Sequence, residues 1–289
     1  MTATTVTPTS LASPTRPAGP TAPPGRVTFA RAVAAEWVKF RTVRSSIWTL
    51  VAAVVLMVGI AVLAAWGTTT EAVDGGTGPM NTAQLLSAGY QLGQLAVAVL
   101  GILTITGEYS TGMVRSTFTA VPRRAPVLAA KALVLAVVTL VVSVAAMALS
   151  YLATMPFHAE LDATLDLSDP LTLRMTAGLP LYLTAIALFA FGVGALVRHS
   201  AGALTAVIAL LLVVENVLVL IPLRAIEVVA PFLPSTAGRR VLFDAETLAA
   251  VDAATTGAHL APWLGYAVLL AWAAALLAAA TVLVRRRDA

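Results

Sequence analysis

Glu215 and Asn216 stand inside an apolar run at 201–221, and a second apolar run carries Gln84, Ser87, Gln91 and Gln94 at spacings of three, four and three. A carboxylate near a bilayer interior costs about 2.5–3.5 kcal/mol on insertion scales unless it is protonated, paired or hydrated. Glu215 therefore has to face other helices or a water-filled path. Two roles stay open for it: a structural bond between helices, including a pairing with Arg224, or the lining of a pathway. The spacing of the second set places all four polar side chains on one helical face, which shuns lipid. At a rise of about 1.5 Å per residue, Gln91 and Glu215 both sit about 10 Å below the outer surface, so they fit one cavity.

Other chemistries lack their residues. A phosphate-binding P-loop needs a lysine followed by Ser or Thr after a glycine-rich turn. The two lysines, Lys39 and Lys131, precede Phe40 and Ala132. His158, His199 and His259 are isolated, without zinc-ligand spacing, and read as loop or interface histidines. The chain has no cysteine, which excludes thiolate nucleophiles, disulfides and cysteine metal sites. An intramembrane enzyme using Glu108, Glu215 and a histidine fails on placement, because Glu108 falls at one surface, Glu215 in the opposite half, and no histidine falls within an expected span. The expectation is a chain with no catalytic residues, no metal and no cofactor of its own.

The elements that position these residues follow from composition. Hydrophobic residues make up 59% of the 289 and charged ones 11%, against about 45–50% and about 25% in soluble domains. So little charge cannot clothe a water-facing surface. A hydrocarbon core about 30 Å thick needs about 20 helical residues, and six segments supply them, near 47–66, 83–106, 132–155, 175–197, 201–221 and 263–284. Gly192 and Gly194, inside the fourth, read as permitting close helix approach. Ala271, Ala275 and Ala279 form a small-residue seam in the sixth. Residues 1–25, rich in Pro, Thr, Ala and Ser, read as a disordered tail, leaving 26–289 as one six-span domain.

Basic residues mark the cytosolic side. With the N-terminus inside, Arg16, Arg26, Arg31, Lys39, Arg41, Arg44, Arg115, Arg123, Arg124, Lys131, Arg198 and Arg285–Arg287 fall in the cytosol, and only Arg174, Arg224, Arg239 and Arg240 outside. The predicted fold is an all-α protein of the cytoplasmic membrane with six transmembrane helices and both termini cytosolic. Ahead of span one, 26–44 fits an amphipathic interface helix. Val27, Phe29, Val33, Trp37, Val38 and Phe40 share its apolar face, with Arg31, Glu36 and Lys39 opposite. That face suits either the inner leaflet or packing on protein.

Three stretches carry a resemblance: AEWVKFRTVRSSIWTL before span one, GEYSTGMVRSTFTAVPRRAPVLAAK after span two, and GALVRHSAGAL between spans four and five. Together they resemble the membrane (permease) subunits of type-2 ATP-binding cassette exporters of the actinobacterial kind, over essentially everything from Arg26 onward. The resemblance implies an exporter subunit that pairs with a second copy and with a separate ATPase chain, which would bind the ATP and Mg. It implies an interface helix, to which Trp37, Lys39 and Phe40 would belong. It implies coupling to the ATPase through the 107–131 connection, with Glu108, Tyr109 and Arg115 as coupling residues, and an outer loop at 222–262 that folds back into the membrane. Gln84, Ser87, Gln91, Gln94, Glu215 and Asn216 are the candidates for a pathway between spans two and five. An ion-coupled secondary transporter using Glu215 is the alternative, and it leaves GEYSTGMVRSTF without a role.

Overall fold

The computed structural model describes residues 28–73, 82–110, 124–158, 165–218, 223–255 and 257–287. All regular structure among them is helical. Six helices are long and apolar enough to cross a membrane: Arg44–Thr70, Thr82–Tyr109, Ala125–His158, Pro170–Val197, Ser200–Leu218 and Pro262–Leu283. The chain is an all-α, multi-pass membrane protein.

In chain order the elements are α1 (Phe29–Thr42), α2 (Arg44–Val73), α3 (Thr82–Ser87), α4 (Tyr90–Ser110), α5 (Arg124–His158), α6 (Pro170–Val197) and α7 (Ser200–Ile208). A π-helical stretch, Ala209–Val214, links α7 to α8 (Glu215–Leu218). The segment that follows holds α9 (Arg224–Val229), α10 (Pro234–Gly238) and α11 (Ala245–Ala253), and α12 (Pro262–Arg287) ends the described chain. The tail at 1–25 lies outside the described residues.

α6 is the hub, packed by α4, α12, α5 and α7. Its best apolar window is 67% buried, against 17% in the first and last spans, whose free faces are left for lipid. Tyr182, Ile186 and Phe191 on α6 are fully buried with Leu100 and Ile102 of α4. Such closeness needs small residues, since helices in lipid associate through packing rather than through a hydrophobic drive. A Cβ on Gly192 would stand 2.7 Å from Cβ of Leu276 on α12, and one on Gly194 would stand 2.8 Å from Ile105 on α4. Both glycines thus sit at close crossings. The alanine seam of the last span is different: Ala271, Ala275 and Ala279 are exposed, and α12 packs inward through Leu269, Ala273 and Ala280. Alanine is so abundant here that a seam carries no direction.

Several boundaries move. The interface helix stops at Thr42 because Val43 is extended, and α2 starts at Arg44 without a loop. Span three begins at Ala125 rather than 132, so Lys131 lies in a helix and not in the connecting loop. Gly107–Ser110 likewise belong to α4. His158 is the last residue of α5, and so closes span three rather than lying beyond it. Within 222–262, expected as an outer loop that folds back into the membrane, the described residues are largely helical; Pro234, Ser235, Ala237, Gly238, Val241 and Leu242 are buried against α6 and α12.

Candidate functional site

Among the described residues, polar clusters at Glu36 and at Glu215 interrupt the apolar bundle. The first begins with α1, whose start is capped by the Thr28 hydroxyl accepting from the Arg31 amide at 3.4 Å. Residues four apart share a helical face, and the face that α1 turns to α5 is Ala32, Glu36 and Phe40. Glu36 is therefore buried, contrary to its expected place on the polar side. Trp37 and Phe29 point away from the bundle, and the Arg41 guanidinium lies 5.9 Å from the Trp37 ring. Protein thus covers one face of α1, Phe40 included, while Phe29 and Trp37 remain exposed.

A carboxylate is tolerated at that buried position because two ammonium groups meet it. Lys131 of α5 donates to Glu36 Oε2 and, at 2.9 Å, to Glu108 Oε1. Lys39 donates to Glu36 Oε1 at 3.1 Å and to Glu108 Oε1 at 3.0 Å. The result is a ring of alternating charge joining α1, the end of α4 and the start of α5. Lys131 is 4% exposed and Glu36 5%. Burial pulls the Lys39 ammonium toward neutrality, but the bond to Glu108 and the fields of both carboxylates outweigh it and hold the group above its ordinary range. The ring forms one wall of a cavity of about 600 Å³, completed by Phe40, Thr42, Val43, Ser45, Ser46, Leu103, Thr104 and Val134.

Tyr109, next to Glu108, carries the Arg198 guanidinium at 5.4 Å from its ring centre. Arg198 ends α6 with φ 59°. The adjacent start of α7 is capped by His199 Nδ1, which accepts from the Gly202 amide at 3.1 Å, and Ser200 donates to Thr106 at 3.0 Å. The ends of spans two, four and five are thereby tied together. Arg115 lies outside the described residues, as do Arg123 and the middle of the 107–131 connection.

The second cluster sits deeper, 14 positions before Glu108 along α4, a separation of about 21 Å at a rise of about 1.5 Å per residue. The Tyr182 hydroxyl donates to Gln94 Oε1 and lies 2.9 Å from the Ser235 hydroxyl, which also donates to Gln94 at 3.3 Å. α10 starts at a proline, which has no N–H to orphan, and Leu233 before it offers no side-chain cap. Glu215 supplies the cap from another helix. Its Oε1 accepts from the Ser235 amide at 3.0 Å, and its Oε2 accepts from the Thr236 amide and, at 2.8 Å, the Thr236 hydroxyl. Glu215 is 1% exposed. Its partners are the folded-in segment, not Arg224, and in this conformation it closes a joint instead of lining an open path.

The remaining stripe residues separate because the helix breaks at Ala88 and Gly89. Gln84 on α3 donates to Asp244 Oδ2 at 2.6 Å, while Ser87 returns to the carbonyls of Ala83 and Gln84. Gln91 is half-buried and makes no hydrogen bond among the described residues. Asn216 donates to Leu212 O at 2.8 Å, satisfying a carbonyl of the π-helical turn. Sequence reasoning missed Tyr182, Ser235 and Thr236, which have no motif, and Arg240. The latter grips Asp252 at 2.9 and 3.0 Å, and His259 also approaches Asp252, at 3.1 Å. The bond from Arg240, opposed by desolvation and aided by His259, holds the Asp252 carboxyl below its ordinary range. No group of three metal-ligating side chains occurs among the described residues.

No family model matches the chain, and no curated protein does.

Proposed function

We propose that the chain is the membrane subunit of an ATP-driven exporter of the type-2 ATP-binding cassette kind, paired with a second copy and driven by a separate ATPase chain. The observation that carries this reading is the ring of Glu36, Lys39, Glu108 and Lys131. It links α1 to both helices that flank the 111–123 connection. A push delivered to that connection would reach the interface helix and spans two and three together through these paired charges. In this reading the ring lies at the cytosolic surface, both termini are cytosolic and the membrane is the cytoplasmic one. The folded-in α10 then caps the outer end of the path, held by Glu215, Gln94 and Tyr182.

Outward transport would require the second cluster to open, which exposes Glu215 to water and lets hydration repay its lost amide bonds. The ion-coupled alternative has less support, since both oxygens of Glu215 are already occupied by Ser235 and Thr236. The test is purification of the tagged chain from its native membrane. A P-loop ATPase chain is expected in equal amount, with transport lost in Glu108→Ala and in Arg115→Ala while the isolated ATPase stays active. Absence of any ATPase after mild cross-linking would remove the proposal.

A further inference from the structure

Span five turns one narrow seam inward. Ala203, Val207, Leu211 and Glu215 are buried at successive spacings of four, while Leu212, Val213, Val214 and Val217 stand exposed. A regular α-helix cannot keep such a seam straight. At about 100° per residue, the twelve steps from Ala203 to Glu215 overshoot three full turns by about 120°, which would carry Glu215 off the side that Ala203 and Val207 occupy. The π-helical stretch Ala209–Val214 corrects this. Its bonds reach back five residues instead of four, as the Glu215 amide does to Leu210 O, so one residue is absorbed as an insertion. Eleven remaining steps leave a deviation of about 20°, and Glu215 comes onto the seam where it caps α10.

Two features make this register reversible. Among the described residues, the only hydrogen bonds that join Ala209–Leu218 to another helix are those that Glu215 accepts from Ser235 and Thr236. The π-helical turn also has its own support in Asn216. In an α-helix the Leu211 carbonyl would take the Glu215 amide; here Asn216 Nδ2 approaches that carbonyl at 3.5 Å and donates to Leu212 O at 2.8 Å.

We propose that the π-helical turn is a register switch that releases α10. Regularising it to α-helix turns the chain beyond it by about 100°, sets Val214 on the seam in place of Glu215, and leaves the Ser235 and Thr236 amides without their cap. Glu215 then takes the half-buried direction that Asn216 has now. Within the exporter reading this is the opening step of the second cluster. The switch itself needs only the fold and no ATPase partner, so it fails or holds separately from that reading.

The test is amide hydrogen exchange of α10 in the full chain, held in lipid nanodiscs and read by mass spectrometry, with the buried α6 as internal reference. Deleting Val213 removes the inserted residue, keeps both flanks in register and abolishes the second register, so α10 should exchange about threefold more slowly or better. Asn216→Ala withdraws the support of the π-helical turn and should speed exchange by about threefold or more. In the Val213 deletion the same substitution should change nothing, whereas a merely structural Asn216 would speed exchange in both backgrounds. Unchanged or faster exchange in the folded deletion variant overturns the proposal, and so does an Asn216→Ala effect that persists in it. Should the deletion fail to fold, cross-linking decides, since the chain has no cysteine of its own. On mild oxidation the Val214→Cys, Thr236→Cys pair should link faster than the Val213→Cys, Thr236→Cys pair, because only position 214 turns to α10 in the second register. Equal linking of the two pairs overturns the switch.

Discussion

Glu36 and Lys131 are 95 residues apart in the chain and meet as an ion pair shielded from solvent on both sides. Removing one member of such a pair leaves a bare buried charge, at a cost of about 3–5 kcal/mol, whereas removing both at once costs far less. Lys131→Met should therefore lower the thermal midpoint of the purified chain sharply. Adding Glu36→Met should restore a part of it, because Lys39 and Glu108 still satisfy each other. A double variant no more stable than Lys131→Met would show that the ring has no pairwise coupling.

Glu215→Gln exchanges one acceptor oxygen for an NH₂ group aimed at an amide or hydroxyl donor of Thr236. A hydrogen bond to a charged group is worth about 1.5–3 kcal/mol, although side-chain bonds within membranes average nearer 0.6 kcal/mol. The amides of α10 have no other cap, which favours the larger figure. The expected result is intact insertion with faster proteolysis between α8 and α12, and an unchanged cleavage rate would show that the carboxylate does not hold the segment.

Arg198 adopts a left-handed backbone that costs a non-glycine residue about 1–2 kcal/mol. Its side chain offsets this through the Tyr109 ring, a contact worth about 0.5–1 kcal/mol at exposed sites and about 2 when desolvated. Arg198→Ala loses the ring contact and keeps the strain, while Arg198→Gly loses the contact and relieves the strain. Thermal unfolding should rank glycine above alanine by about 1 kcal/mol.

The orientation proposed for the bundle can be read in intact cells, since the chain contains no cysteine. Single cysteines at the exposed positions Leu167 and Glu246 should react with an impermeant maleimide from outside, and one at Arg41 should react only after lysis. Labelling of Arg41→Cys in intact cells would invert the assigned topology.

The spans were legible because a run of about 20 apolar residues has few alternatives to a membrane helix. Their ends were not, since a helix continues past the hydrocarbon wherever the chain still forms hydrogen bonds, as α5 does on both sides. Glu36 was misplaced for a physical reason: helical periodicity sorts side chains by polarity, and only a partner 95 residues away makes burial of that carboxylate favourable. The partners of Glu215 were hidden for another reason. Two of its three contacts are backbone amides, which every non-proline residue owns and no sequence pattern advertises. The break at Ala88 and Gly89 split an apparently continuous polar stripe into residues that serve different neighbours.

The crossing of α10 and α12 at Gly265 has a mechanical consequence. A side chain there would strike the carbonyl of Ala237, so backbone rests on backbone. Side chains can change rotamer and absorb a shift between helices, but main chains in contact cannot. Neither helix can therefore move toward the other at this crossing without pushing it along. With Glu215 fastened to the front of α10, a movement of the last span draws on the end of span five, and the nearest place to take up the strain is the widened π-helical turn at Ala209–Val214.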